Sequence, residues 1–561
     1  MCGIFYLSYP DLKAAEYASN VLKARGPDKG YLNVDQHSSI VFQRLSINDL
    51  SELGDQPIIS DDNQTLLMCN GEIFNYKDLM ESYEIKCRSK SDCEVLLHLY
   101  KLHLKLEQPS SFLKEVFRKI NGDFALLIFD RKAGKIILAR DRIGVRPLFY
   151  GWNYDKFNNS KRLAVASEAK CLWMCQEIHH VLPGTWLEFD VYPDECAAAS
   201  PYLLIPHSHY PNIQLKSEEF YYEVQKTLTY NQNINFLKPL LEEAVKLRLL
   251  SDRPIGCLLS GGLDSSVITS ILCKLMKASN KSSKDIRTYS IGMQGSLDLK
   301  YARKVADYLG TTHTEVKFTP EEGFKIIPEV IRVLESFDIT TVRASVGMYL
   351  LGKYIREHSE DKVIFSGEGA DELLCGYVYF HNAPNGSIAQ DESLRLISEL
   401  YKYDCLRADR CISSNGLELR VPFLDKNVLA FCTSLHGEVK KPSDGIEKRI
   451  LRELFTEDLP DEVAWRRKDG FSDGVSSLTK SWYEYIQEFV EKEVSDEEFQ
   501  NHKDINFRGF ESASVSKEAY YYKKIYNSYY PFFPNPIEKY WMPKWSGDVS
   551  NNPSGRVLKA F

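Results

Sequence analysis

No apolar run in this chain approaches the ~18 residues that a membrane-spanning helix needs. A basic excess is lacking too: 70 Lys+Arg against 78 Asp+Glu leave a formal net charge of -8 over 561 residues. That gives no electrostatic footing on nucleic acid or an anionic membrane, both of which select basic faces. The 13 cysteines contain no Cys-x-x-Cys pair. An odd, irregularly spaced set fits reduced thiols in the cytoplasm rather than a disulfide framework. Cys171 and Cys175 are spaced to share a helix face, but no His–Cys cluster supplies further metal ligands. Asp11 and Glu16 follow the short N-terminal apolar patch too closely for a secretory signal. The end, Val557-Leu558-Lys559-Ala560-Phe561, is neither a prenylation nor a peroxisomal signal. The sequons at Asn63, Asn158, Asn280 and Asn385 are then read as chance matches.

What is present is a globular composition, 43% hydrophobic and 26% charged, in a chain long enough for two or three domains. Its organising stretch is Ser260-Gly261-Gly262-Leu263-Asp264-Ser265-Ser266, set between the apolar runs Ile255–Leu259 and Val267–Met276. That pattern predicts a buried strand, a tight turn and the start of a helix. Paired glycines let backbone approach a ligand closely, and the helix start offers free N–H groups to an anion. Asp264 is placed to hold a divalent cation against phosphates. No Lys follows the glycines, so this is not the Gly-x-x-x-x-Gly-Lys-Ser/Thr loop. The string resembles the PP-loop of the ATP pyrophosphatases, which implies ATP binding and release of pyrophosphate.

The second informative stretch is Met1-Cys2-Gly3-Ile4-Phe5. If Met1 is removed, Cys2 carries a thiol nucleophile beside a free α-amine, which titrates near about 7.7–8.0 and serves as a base. Cys2-Gly3-Ile4 is followed by Arg25-Gly26-Pro27-Asp28, Arg44-Leu45-Ser46-Ile47, Asn70-Gly71-Glu72-Ile73-Phe74-Asn75, Ser91-Asp92-Cys93-Glu94 and Asp141 to Leu148. Six strings in this order resemble the class II, N-terminal-nucleophile glutamine amidotransferases. Ser167-Glu168-Ala169-Lys170 is similar as well. The resemblance implies that Cys2 attacks the glutamine side-chain amide and that Asn70 and the Gly71 N–H form an oxyanion hole. It further implies that Arg44 pairs with the α-carboxylate, and that Glu72 and Asp92 receive the α-ammonium. Backbone from Leu45 through Ser46 and Ile47 to Asn48 completes that pocket. Gln43 stands where the family commonly has His, a change expected only to tune the site.

Strands are expected at 39–46, 65–70, 124–130, 135–140, 148–152, 163–167 and 185–189, with helices at 12–25 and 92–106 and a hairpin turn at 131–134. This fits an α+β N-terminal-nucleophile domain, the α-β-β-α sandwich that the resemblance implies, over residues 1–193. The proline-punctuated stretch 194–233 reads as a connector. From 234 to 545 a helix at 236–250 is followed by alternating strands and helices, which predicts an α/β domain with a parallel sheet. Residues 546–561 read as a flexible tail.

Three strand ends in this half carry unusual residues: the PP-loop after Leu259, Ile291-Gly292-Met293, and Ser366-Gly367-Glu368-Gly369-Ala370-Asp371-Glu372. Three carboxylates directly after a strand call for a cation. This half, and with it almost the whole chain, resembles the glutamine-hydrolysing asparagine synthetase family. The resemblance implies ATP contacts at Leu258, Ser260, Gly261, Gly262, Asp264, Ser265, Ser266, Ile291, Ser366 and Gly367. It assigns Mg²⁺ to Asp264 and Asp371, a general base to Glu368 and pyrophosphate stabilisation to Lys468. Thr340, Thr341 and Arg343 match the stretch tied to the aspartyl-adenylate. Gly416 to Asp425 matches a further family string without a role per residue, and Ala370 replaces a usual serine. Glutamine, aspartate and ATP are the implied small-molecule partners, in a cytoplasmic homodimer that binds neither nucleic acid nor membrane. A β-lactam-type synthetase, another ATP-dependent amidotransferase, a glutaminase alone and a non-catalytic scaffold are the competing readings.

Overall fold

The structure, a computed structural model, describes residues 1–105, 116–154, 161–193, 202–207, 234–280, 282–466, 474–476, 480–502, 516–531 and 540–545. The first half is built on two antiparallel sheets. One runs, in spatial order, Glu177–His180, Phe149–Tyr154, Lys161–Ala166, Gly3–Leu7, Ser39–Arg44, Lys29–Val34. The other runs Tyr202–His207, Trp186–Pro193, Lys135–Arg140, Gly122–Asp130, Thr65–Ile73, Ile58–Ile59. Ile4, Tyr6, Ile40 and Phe42 of the first meet Met68, Leu127 and Phe129 of the second in one apolar layer. Helix Leu12–Leu22 covers the outer face of the first sheet through Ala14, Ala15 and Ala18, and helix Glu94–His103 covers that of the second. The result is an α-β-β-α sandwich.

Besides the short edge strands Ile58–Ile59 and Glu177–His180, two strands lie where no strand is legible in the sequence. Gly3–Leu7 is buried at every position, so it shows no alternation of apolar and polar residues. Lys29–Val34 is the outermost strand and mostly open to solvent, so it carries little apolar signal. A third finding concerns the connector: Tyr202–His207 inside it is a strand paired antiparallel to Trp186–Pro193. The sheet therefore runs past Pro193. The tail 546–561 lies outside the described residues.

The second half holds a five-stranded, all-parallel sheet in the order Thr312–Lys317, Arg287–Gly292, Ile255–Leu258, Val363–Phe365, Glu418–Arg420. The helices between these strands bury Val267, Ile268, Ile271, Val305, Val342 and Val346 in the same core. Gly310 ends its helix at φ 76°, where a Cβ would be strained. Helix Ile339–His358 starts ahead of Arg343 because Asp338 caps it, accepting from the Thr341 N–H at 2.8 Å and its hydroxyl at 2.7 Å. The fifth strand belongs to the Gly416–Asp425 string.

Buried ion pairs lock the halves together. Arg25 pairs with Asp409 at 2.7 Å, and Arg248 bridges Asp425 at 2.7 Å and Asp123 at 3.3 Å. Asn121 Nδ2 donates to Asp425 at 3.0 Å. Among the described residues, no helix is long and apolar enough to cross a membrane.

Candidate active sites

Cys2 sits at the start of a central strand, 8% exposed, with its thiol toward Leu45 O at 3.8 Å. Burial pushes that thiol up from its ordinary value. The Cys2 N–H donates to Asn70 Oδ1 at 2.8 Å, which fixes the orientation of the Asn70 amide. Its Nδ2 is then left buried without an acceptor among the described residues. An orphaned buried donor beside a thiol is the arrangement an oxyanion hole requires. Gly71 follows at φ 143°, and a Cβ there would meet Asp123 O at 2.0 Å.

The predicted ammonium-binding acids come together. Asn48 Nδ2 donates to Glu72 and, at 3.1 Å, to Asp92, which also accepts from the Ile73 N–H at 2.6 Å. Burial, and then the charge of Asp92, hold the Glu72 carboxyl well above the usual carboxylate range. Burial raises Asp92 as well. Such a pair gains most from an incoming ammonium.

Arg44 is held by its own loop. Its Nη1 donates to Asp55 at 2.6 Å and Ser51 O at 3.1 Å, and its Nη2 to Asn48 O at 3.2 Å and to Asp49 O. A guanidinium buried to 5% exposure needs acceptors, and the 48–55 loop supplies them to both Nη atoms. Backbone at 45–48 is partly spent on docking: Arg253 Nε donates to Ser46 O at 2.9 Å and the Asp252 N–H to Ile47 O at 3.0 Å. Gln43 bonds Ser19 Oγ at 2.8 Å and braces helix Leu12–Leu22.

In the second half the ends of three parallel strands open into one cavity of about 230 Å³, against the ~30 Å³ that a water fills. Leu258, Ser260, Gly262, Asp264, Ser265, Ile291, Ser366, Gly367, Glu368 and Asp371 all line it. Gly261 and Ser266 do not. Gly261, at φ 73°, packs where a Cβ would meet Ala302 N at 2.3 Å, and Ser266 Oγ donates back to Gly262 O at 2.7 Å. These two shape the turn instead of facing the cavity. Gly367 lies against Asp264 and Ser265, where a Cβ would meet Ser265 N at 2.8 Å, so the acidic loop and the PP-loop are in contact. Ala370 is buried to 1% exposure.

The aspartyl-adenylate stretch divides. Thr340 lines the cavity, and its buried hydroxyl has no partner among the described residues. Thr341 is spent on the Asp338 cap. Arg343 does not reach the cavity: its guanidinium grips Glu518 through Nε at 2.7 Å and Nη2 at 2.6 Å, both side chains 3% exposed. The sequence could not show this partner, which lies 175 residues away. Arg343→Met should cost stability, about 3–5 kcal/mol, because it leaves a buried carboxylate alone. A thermal-unfolding series should show most of the loss recovered in Arg343→Met/Glu518→Gln. An unchanged melting point with lost aspartate-dependent pyrophosphate release would return Arg343 to the chemistry. Lys468 lies outside the described residues.

One cation at the centre of the cavity escapes sequence reasoning. Lys448 Nζ bridges Asp264 at 2.5 Å and Asp371 at 2.6 Å, and the side chain is 1% exposed. Its backbone sits at φ 53°, a conformation non-glycine residues hold at a strain of ~1–3 kcal/mol where function demands it. In the sequence it is one charge in Glu447-Lys448-Arg449, with no strand end to mark it. Arg407 is a second: it pairs with Glu368 at 2.8 Å and Asp404 at 2.7 Å. Tyr377, which donates to Glu372 at 2.5 Å, and Trp541 complete that end.

Comparison with known proteins agrees with this division. A family model for the glutamine amidotransferase domain matches residues 1–193, and one for asparagine synthase matches residues 237–397 and 387–531. The glutamine-hydrolysing asparagine synthetases of Pongo abelii and Homo sapiens are each 40% identical to this chain over 584 residues, covering 100% of it and 99% of their own length. That of Gallus gallus is 40% identical over 579 residues with the same coverage. With both domains matched in order and the likeness running end to end, the chain belongs to the glutamine-hydrolysing asparagine synthetases, which are ligases.

Proposed function

We propose that this chain converts L-aspartate, L-glutamine, ATP and water into L-asparagine, L-glutamate, AMP and pyrophosphate, with ammonia passing from the Cys2 pocket to the ATP cavity. The observation that supports it best is the buried Cys2 thiol beside the orphaned Asn70 Nδ2, on a domain locked by buried ion pairs to one carrying a PP-loop cavity. Once Met1 is gone, the Cys2 α-amine takes the thiol proton and the sulfur attacks the glutamine amide carbon. Asn70 Nδ2 and the Gly71 N–H hold the developing oxyanion. The proton passes to the leaving nitrogen, ammonia departs, and water hydrolyses the thioester to glutamate. Glu72 and Asp92 hold the substrate ammonium. Arg44 acts by bracing the 48–55 loop over the carboxylate end.

In the second cavity the β-carboxylate of aspartate attacks the α-phosphorus of ATP, and pyrophosphate leaves. Ammonia then attacks the acyl carbon, and AMP leaves. Ser260, Ser265 and the start of helix Leu263–Ala278 face the phosphates. Lys448 neutralises the departing pyrophosphate, and Lys468 joins it there. Glu368, oriented by Arg407, takes a proton from the attacking ammonia. Thr340 offers its hydroxyl to the adenylate, and the acidic end with Glu372 and Asp404 suits the ammonium of aspartate.

Asp264 and Asp371 also fit Mg²⁺: they are hard oxygen donors that already converge on one cation, the Lys448 ammonium, and Mg²⁺ is usually held by one or two carboxylates plus phosphates. When bound there it would shield the phosphate charge and ease pyrophosphate departure. Family likeness supports a cytoplasmic homodimer, and the free thiols of the described cysteines suit that compartment. The domain limits 1–193 and 234–545 stand as the working division, with the strand Tyr202–His207 belonging to the first.

One assay tests the whole reading. Incubation with ATP, Mg²⁺, aspartate and glutamine should release pyrophosphate, AMP and asparagine in equal amounts. Pyrophosphate without asparagine would sink it in favour of a related ATP-dependent synthetase.

A further inference from the structure

Two family strings have no role in the chemistry above: Arg25-Gly26-Pro27-Asp28 and Ser167-Glu168-Ala169-Lys170. In the structure they converge on one helix of the other domain, Asp404–Ser413. Arg25 is fully buried, and its Nε donates to the carbonyl oxygen of Cys2 at 3.0 Å. Its two Nη atoms grip Asp409 at 2.7 and 3.2 Å, and Nη1 also donates to Ser413 Oγ at 2.9 Å. Glu168 pairs with Arg410 of the same helix at 2.8 Å. The nucleophile's own peptide is thus held by a guanidinium whose two-pronged anchor belongs to the synthetase domain.

The opposite face of that helix looks into the ATP cavity. Asp404 and Arg407, three apart, face one way, and Asp409 and Ser413, four apart, face the other, as helical spacing requires. Arg407 is the partner of Glu368, the proposed base. We infer that helix Asp404–Ser413 links the two sites mechanically, and that Asp409 is a positioning residue for Cys2, acting through Arg25. A change in charge or position at Glu368 as the cavity fills and reacts alters the hold on Arg407. A buried helix moves as a unit, so its far face carries Asp409, Arg25 and the Cys2 carbonyl with it. Arg25 touches the nucleophile's backbone, not the Glu72–Asp92 pocket, so the link acts on turnover rather than on glutamine binding. The inference rests on Cys2 as the glutaminase nucleophile.

The test uses the full chain, with Asp409→Asn and the milder Ser413→Ala. Glutaminase kcat should fall about 10- to 100-fold in Asp409→Asn, and less in Ser413→Ala, as for a nucleophile misplaced by a fraction of an ångström to an ångström. KM for glutamine should hold, and synthesis from added ammonia should stay within about twofold of wild type. ATP, Mg²⁺ and aspartate should change the wild-type glutaminase kcat and leave that of Asp409→Asn unmoved. Three results would overturn the link: an unchanged glutaminase in both variants, parallel loss of both activities in Ser413→Ala, or a wild-type glutaminase indifferent to the cavity ligands. A wild type that hydrolyses no glutamine would instead remove the Cys2 reading on which the link stands.

Discussion

Cys2→Ala should abolish glutamine-dependent asparagine formation, by about 10,000-fold or more, while synthesis from added ammonia continues. The thioester forms on the Cys2 sulfur, and without it the oxyanion donors have nothing to stabilise. The fold should tolerate the change, because it removes one sulfur from a small side chain at a cost of about 1 kcal/mol. Parallel assays with glutamine and with ammonium chloride check it; loss of both would mean that Cys2 is structural. A companion measurement concerns Met1. In the structure Met1 is 1% exposed, its ammonium donates to Leu417 O at 3.4 Å, and burial pulls that ammonium down to about 6. With Met1 in place the Cys2 nitrogen is an amide and offers no base. Intact-mass analysis should therefore find Met1 absent from the active protein, and a preparation forced to keep it should lack glutaminase and retain synthesis from ammonia.

Lys448→Met should abolish asparagine formation from either nitrogen source and leave glutamine hydrolysis in place. The substitution keeps an unbranched side chain of similar reach and removes the ammonium that, among the described residues, spans Asp264 and Asp371. The two carboxylates would lose the cation they share, which leaves more negative charge on the cavity wall against the phosphates of ATP. Loss of a charge-stabilising donor of this kind lowers kcat about 100- to 1,000-fold. Aspartate-dependent pyrophosphate release, measured without any nitrogen donor, isolates the step. Normal pyrophosphate release with slow asparagine formation would move Lys448 to the ammonia half-reaction. Raising Mg²⁺ should rescue part of the loss if Asp264 and Asp371 are metal ligands, because the cation supplies the missing charge.

Much of the fold is legible in the chain. Ile255–Leu258 and Val363–Phe365 are short, mostly apolar runs followed within a few residues by Ser-Gly, so the sequence itself places the PP-loop and the acidic loop on strand ends. Gly3–Leu7 was not legible, because a strand buried on both faces has no period to read. Among site residues, Asp264, Glu368 and Asp371 stand in strings so polar, and so placed at strand ends, that even partial burial calls for a chemical reason. Arg343 stands in an equally suggestive string, yet its charge is spent on Glu518, because a buried guanidinium pairs with whatever carboxylate the fold brings to it. Arg44 likewise pairs through its Nη atoms with Asp55 and the loop carbonyls.

The sequence by itself determined the family and the two domain types, and it placed the Cys2 and PP-loop strings on which the proposed chemistry rests. These rest on local strings, in which backbone freedom, charge and nucleophilicity belong to neighbours in the chain. The tertiary structure alone decided which charge pairs with which. Lys448 stands 184 residues from Asp264, and Arg25 stands 384 residues from Asp409. Pairings over such distances follow from packing and from the need to neutralise every buried charge, and nothing local to the chain encodes them.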